Sequence, residues 1–199
     1  MHTVTRQLQL HYLGKRAYIQ GTTLFDSLSS ILINAKSISF RLHKPLMTDR
    51  AEVVINGSSD LPKVATLDFE QDAVHLSLAV LPLTKSENPL RVDYDESCIV
   101  DNLIYSNDCV KLNSKSPYSF LATVTAINKA YLLRTIPSKG EGQWILCGVD
   151  LHDFIDTYTT IQIKIHTKLF GNKLIKSSIT LDGQHAGEIL FSWFSGRLE

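Results

Sequence analysis

Two stretches of the chain alternate apolar and polar residues with period two and can be laid over one another. Ile38-Ser-Phe-Arg-Leu-His-Lys-Pro-Leu46 stands against Ile161-Gln-Ile-Lys-Ile-His-Thr-Lys-Leu169, identical at three of nine positions. Three further pairs (Phe40/Ile163, Arg41/Lys164 and Leu42/Ile165) are conservative. Period two is the sign of a half-buried strand. Each stretch leads through a turn to a second strand, over 51–55 and 174–181, and each second strand ends in Asn56-Gly57 or Asp182-Gly183. Both dipeptides favour tight hairpins, because both central residues must take positive φ. A third strand is expected after each, over 63–69 and 187–194, with extra strands over 73–81 and 143–149.

The period changes to that of a helix upstream of each repeat strand. Leu24, Leu28, Ile31 and Leu32 recur at helical spacing and predict a helix over 22–34. Val124, Ile127, Tyr131 and Leu132 predict a second helix over 119–135, stopped by Pro137. The pattern is therefore α+β, with strand, helix and three or more antiparallel strands written twice. It divides the chain into a first repeat at 1–82, a polar connector at 83–107 and a second repeat at 108–199.

Composition removes several classes of function. The chain of 199 residues is 44% hydrophobic, with 20 basic and 20 acidic residues and no net charge. A chain of this kind folds on its own core and is not disordered. The charge is balanced in both halves, so the basic excess of a duplex-binding protein is missing and no nucleic-acid partner is expected. No apolar run is long enough to span a membrane. The first residues lack the apolar core of a secretory signal, and three widely spaced cysteines do not form a disulfide framework, so a cytoplasmic location is expected.

The densest chemistry lies in Cys147-Gly-Val-Asp150-Leu-His152-Asp153-Phe-Ile-Asp156. A Cys–His–Asp nucleophile set is conceivable there. On strand alternation, however, Asp150 and His152 converge while Cys147 and Asp153 point away from them. Ligation by Asp150, His152 and His166 matches no standard zinc spacing, so neither a metal nor a cofactor is expected. His43 falls on the polar face of its strand, beside Arg41. Thr23-x-x-Asp26 resembles a capping box at the start of the first helix.

A helix wrapped by an antiparallel sheet, present twice in one chain, is similar to the hot-dog fold in its double form. The alternating strand Ile38–Leu46 and the polar turn Thr48-Asp49-Arg50 resemble the strand and turn that follow the central helix in that fold. The resemblance covers about two-thirds of the chain in outline and rests on no catalytic string. It implies two hot-dog-like repeats forming one pseudo-dimeric body, either a monomer or a homodimer. It also implies action on an acyl thioester of coenzyme A or acyl carrier protein, as a thioesterase or a dehydratase-like enzyme of lipid or secondary metabolism. The helix N-terminus would direct its free amides at the thioester carbonyl.

On that resemblance Asp26 and Tyr18 are catalytic candidates, with Asp26 as general base; His152 and Asp150 are catalytic candidates from the cluster at 147–156. Gln20, Gly21, His43 and Cys147 are candidates for binding substrate. The chain departs from the dehydratases, which carry a His and a Pro-rich loop ahead of the helix. Here that segment reads Tyr18-Ile-Gln-Gly21, with no His. The second helix offers only Asn128 where a carboxylate is expected. The alternative is a non-catalytic acyl-binding protein or a scaffold partner of a biosynthetic complex.

Overall fold

The structure is a computed structural model and describes residues 4–57, 62–136 and 140–195. Its contacts divide the chain into two compact bodies. Of the described residues, the first comprises those of 4–94 with His152–Phe154, and the second those of 95–151 and 155–195.

The first body contains β1 (Val4–Gln9), β2 (Tyr12–Leu13), α1 (Gly21–Leu28), β3 (Lys36–Leu42), β4 (Arg50–Ile55), β5 (Ala65–Gln71), β6 (Val74–Pro82) and β7 (Arg91–Val92). Its antiparallel sheet runs in the order β1-β4-β6-β5-β3. Alternation puts Phe40, Val53, Leu67 and Val80 inside. α1 lies on them through Leu24, Phe25 and Leu28, with the Phe25 ring edge-on to Phe40 at 5.4 Å. β5 and β6 are joined by a tight turn at Asp72 and Ala73, both at positive φ.

The second body contains α2 (Ser97–Val100), β8 (Ile104–Tyr105), β9 (Val110–Leu112), α3 (Phe120–Thr135), β10 (Gln143–Asp153, whose last two residues are assigned to the first body), β11 (Ile161–Leu169), β12 (Leu174–Leu181) and β13 (Gln184–Phe194). Its antiparallel strands run β10-β13-β12-β11-β9-β8. α3 packs on β9 and β11 and buries Leu121, Val124, Ile127 and Leu132. α2 packs on α3, where Lys129 pairs with Glu96 at 3.2 Å.

The periodicity locates both helices, but the first is shorter than expected. α1 ends at Leu28, and a single 3₁₀ turn, Ser29–Ile31, follows. Serines cause the break: the Ser27 hydroxyl donates to the Leu24 carbonyl at 2.6 Å, and Ser29 ends the α-helical run. Asn34 then takes positive φ and turns the chain into β3. The second helix matches its expected span within a residue. Pro137, expected to stop it, lies outside the described residues.

The expected hairpin at Asn56-Gly57 does not form, since β4 pairs with β1 and β6 and not with β5. Asn56 is held against β6 instead. Its amide donates to the Ser77 carbonyl at 2.8 Å and its side chain accepts from the Ser77 amide at 3.0 Å. Asp182-Gly183 does form the β12–β13 hairpin. The two aligned stretches consequently occupy different settings. Ile161–Leu169 is all of β11, hairpinned to β12. Ile38–Leu46 leaves the sheet after Leu42 and returns to meet Ile19 through Leu46. No helix among the described residues is long and apolar enough to cross a membrane.

Candidate functional site

α1 is buried on two faces of different character. Leu24, Phe25 and Leu28 form the apolar face. Thr22, Thr23 and Asp26 share another face, since residues three and four apart are helical neighbours. Thr22 and Thr23 are buried and Asp26 is half-buried. A buried polar face is more informative than a buried apolar one, because nothing in the hydrophobic effect places it there. The Thr23 hydroxyl has no hydrogen-bond partner among the described residues.

The expected capping box is absent. Gln20 is the N-cap, Thr23 lies inside the first turn, and no side chain caps the helix. The reason is backbone position. Ile19 is pinned by its amide to the Leu46 carbonyl at 2.8 Å, and the chain turns helical immediately after Gln20. The first amides of α1, at Gly21, Thr22 and Thr23, have no intrahelical acceptor. α3 differs here, because the Ser119 hydroxyl accepts from the Ala122 amide at 3.3 Å and closes that end.

A polar collar holds the segment leading into α1. The Gln20 amide, placed with its oxygen toward Arg16, accepts from the Arg16 guanidinium at 2.7 and 3.1 Å. Its other amide atom lies 3.3 Å from the Thr22 hydroxyl. Arg16 also stacks over the Tyr94 ring at 5.4 Å. Arg91 donates to the carbonyls of Gly14 and Arg16 at 3.0 and 2.9 Å. β2 and β7 form a short parallel ladder beneath. Tyr12, fully buried, donates its hydroxyl to the Met47 carbonyl at 2.9 Å. Burial, with the Asp49 charge second, pushes the Tyr12 phenol up, so it stays neutral.

Asp49 lies close enough to Tyr12 for its charge to act on the phenol. It is 0% exposed and accepts from the Gln9 side-chain amide and the Ser86 backbone amide, both at 2.9 Å, and from the Ser86 hydroxyl. Burial pushes its carboxyl up. The Ser86, backbone and Gln9 hydrogen bonds outweigh that and hold it below the usual carboxylate range. In the sequence Asp49 belongs to a polar turn and residues 83–96 to a polar connector, and no local signal ties Ser86 or Arg91 to residues far upstream, so these contacts of Asp49 and Arg91 are not legible there.

Tyr18, Gln20 and Gly21 lie along the chain as it enters α1, and half-buried Asp26 lies further on, in the second turn of the helix. The other candidates stand apart from that group in the chain. His43 is exposed beyond the end of β3, with a ring nitrogen 3.2 Å from the Thr66 hydroxyl. Cys147, Asp150 and His152 lie on β10, which continues through Asp153 as strand. Cys147 sits at a register shift between Leu146 and Gly148. Asp150 is half-buried and His152 exposed, alternating with buried Val149 and Leu151. Burial pushes the Cys147 thiol up, with the Ser192 hydrogen bonds opposing, which disfavours the thiolate that a nucleophile needs. Among the described residues no three His, Cys, Asp or Glu side chains form a group that could hold a metal ion.

No protein-family model matches this chain, and no curated protein sequence does either. Solved structures do match over nearly its whole length. The dehydratase domain of a mycocerosic acid synthase-like polyketide synthase is 12% identical, with a TM-score of 0.54, covering 99% of this chain and 93% of that one. A trans-AT polyketide synthase dehydratase domain from Brevibacillus brevis is 10% identical, TM-score 0.51, covering 97% and 94%. A Thermobifida fusca protein described as a thioesterase II is 14% identical, TM-score 0.50, covering 98% and 92%. These are hot-dog proteins, and the fold of this chain is similar to theirs.

Proposed function

We propose that the chain binds an acyl thioester, of coenzyme A or of acyl carrier protein, at the N-terminal end of α1. There it acts as a thioesterase or dehydratase-like enzyme. The observation that carries this reading is the contrast between the two helices. α1 begins at Gly21 with no side-chain cap, whereas α3 is closed by Ser119. Uncapped amides at a helix N-terminus stabilise negative charge as it develops on a carbonyl oxygen. In hydrolysis, Asp26 takes a proton from water as its oxygen adds to the thioester carbon. The oxyanion rests on the Gly21 and Thr22 amides; the carbon–sulfur bond then breaks as Asp26 passes its proton to the sulfur, releasing the thiol and the carboxylic acid. Gln20, held by Arg16, sets the edge of the mouth, and Tyr18 flanks it.

Two features support a duplicated plan, with repeats at 1–82 and 108–199. In each body a helix follows a short strand that leads in, and the next strand lies at the far end of the sheet order. The helix ends are unequal, as expected of one working half and one degenerate half. The three cysteines are unpaired, which fits a reducing cytoplasm.

Thiol release from a panel of acyl-CoA and acyl-carrier substrates tests the reading. The wild type releases thiol from at least one, and Asp26→Ala removes the activity while the circular dichroism spectrum is unchanged. Normal turnover by a folded Asp26→Ala protein sinks the site. A non-catalytic acyl-binding role is favoured by one observation, that α3 carries buried Asn128 where a carboxylate is expected. An acyl group that co-purifies without turnover on any substrate would select that reading.

A further inference from the structure

The turn between β11 and β12 breaks a local rule without any gain inside the protein. Phe170, Gly171 and Asn172 take φ of 49°, 65° and 67°, a single left-handed turn closed by the Lys173 amide on the Leu169 carbonyl at 3.1 Å. Gly and Asn suit that conformation, whereas a bulky aromatic residue adopts it only under strain. Phe170 is also 77% exposed, so its ring adds almost nothing to the core. A residue that is locally costly and unused in packing is a candidate for contact outside the chain.

The surroundings of Phe170 are apolar and cationic. Leu169 is 46% exposed. The Trp193 amide donates to the Lys173 carbonyl at 2.7 Å, which brings the end of β13 beside the turn, with Phe194 39% exposed. Residues 157–181 hold four lysines and no Asp or Glu, in a chain of zero net charge. Lys164 is paired with Asp108, and Lys176 with Glu188. Lys168 and Lys173, one on each side of the turn, are exposed and make no ion pair among the described residues.

We infer that this hairpin tip docks the chain on an anionic lipid surface, with Phe170 and Leu169 entering the acyl boundary and Lys168 and Lys173 on the phosphates. The shape selects the partner. A single aromatic residue on a convex turn needs no preformed pocket in a fluid interface, and lysines at its base meet headgroups at the depth where the ring leaves water. An acidic protein would have to offer a matching hole.

Co-sedimentation of the full chain with vesicles tests this, independently of any thioester activity. The chain pellets with phosphatidylcholine vesicles that contain about a third phosphatidylserine, stays in solution with phosphatidylcholine alone, and is released by high salt. Phe170→Asn weakens partition about tenfold without lowering the melting temperature, because Asn tolerates the left-handed turn. Lys168→Gln with Lys173→Gln weakens it about twentyfold. Failure to pellet with anionic vesicles overturns the inference, as does undiminished pelleting by either variant. Binding of an acidic carrier protein through Phe170, with the vesicles ignored, also overturns it.

Discussion

The Ser86 backbone amide donates to the Asp49 carboxylate at 2.9 Å across thirty-seven positions of sequence, and the Ser86 hydroxyl donates to the same group. This fully buried charge ties the chain after β6 to the chain before β4 and to the end of β1. A buried carboxylate satisfied by hydrogen bonds is expensive to disturb from either side, since each lost partner leaves a desolvated group behind. Asp49→Asn places a donor against the donors of Ser86 and Gln9 and should cost about 2–3 kcal/mol at neutral pH. The folded-state pKa is depressed, so the stabilisation is fully present above the unfolded value, near 4, and is lost as pH falls through the lower folded value. Urea unfolding at neutral pH and near pH 3 should show the wild type converging on Asp49→Asn in acid. A gap of constant size would mean that Asp49 does not titrate as described.

Gly187 lies in β13 at φ 154°, a conformation that side chains rarely adopt. A Cβ there would fall 2.0 Å from the Asp150 carbonyl oxygen and 3.0 Å from the Leu151 Cα. Those atoms are backbone of β10 and cannot swing away. Gly187→Ala should therefore pull β10 from β13 and destabilise the second body by about 3 kcal/mol or more. A denaturant midpoint equal to the wild type would show that the two strands part at no cost.

The fold was legible where a residue pattern answers to local physics. Helical spacing located α3 within a residue, because Ser119 caps it and its interior holds no competing serines. The same spacing overran α1, because Ser27 and Ser29 compete for the backbone just where Ile31 and Leu32 extend the apolar series. Asn56-Gly57 and Asp182-Gly183 are alike as dipeptides, yet only the second makes a hairpin, since Ser77 on a distant strand captures Asn56. The site divides in the same way. Of the proposed site, Gln20 and Gly21 are legible as a helix start, whereas the expected Thr23–Asp26 capping box is not formed. Asp49 meets Ser86, and Arg91 meets the Arg16 carbonyl, through tertiary contacts that no spacing encodes.

Asn128 is 0% exposed in the middle of α3, and neither its amide nitrogen nor its amide oxygen has a hydrogen-bond partner among the described residues. Such a side chain bears the desolvation cost without the return. Asn128→Leu, similar in length and apolar, should raise stability by about 1–2 kcal/mol, or a melting temperature by about 3–6 °C for a chain of this size. If the reacting end is that of α1, thiol release should be unchanged. A fall in melting temperature would show that the amide is satisfied in solution.

Gln20 sets stability against function most directly. As N-cap it leaves the first amides of α1 open, and its side chain is turned to Arg16. Gln20→Asp supplies a good capping acceptor for the amides of the first turn, along with a negative charge at the positive end of the helix dipole. The variant should be more stable by about 1 kcal/mol in denaturant titration. The carboxylate would occupy the position proposed for the thioester oxygen, so thiol release should drop at least about tenfold. Those two changes in opposite directions are what a functional opening requires, a gain in stability set against a loss of activity. A stabilised Gln20→Asp protein with full turnover would place the oxyanion somewhere other than α1.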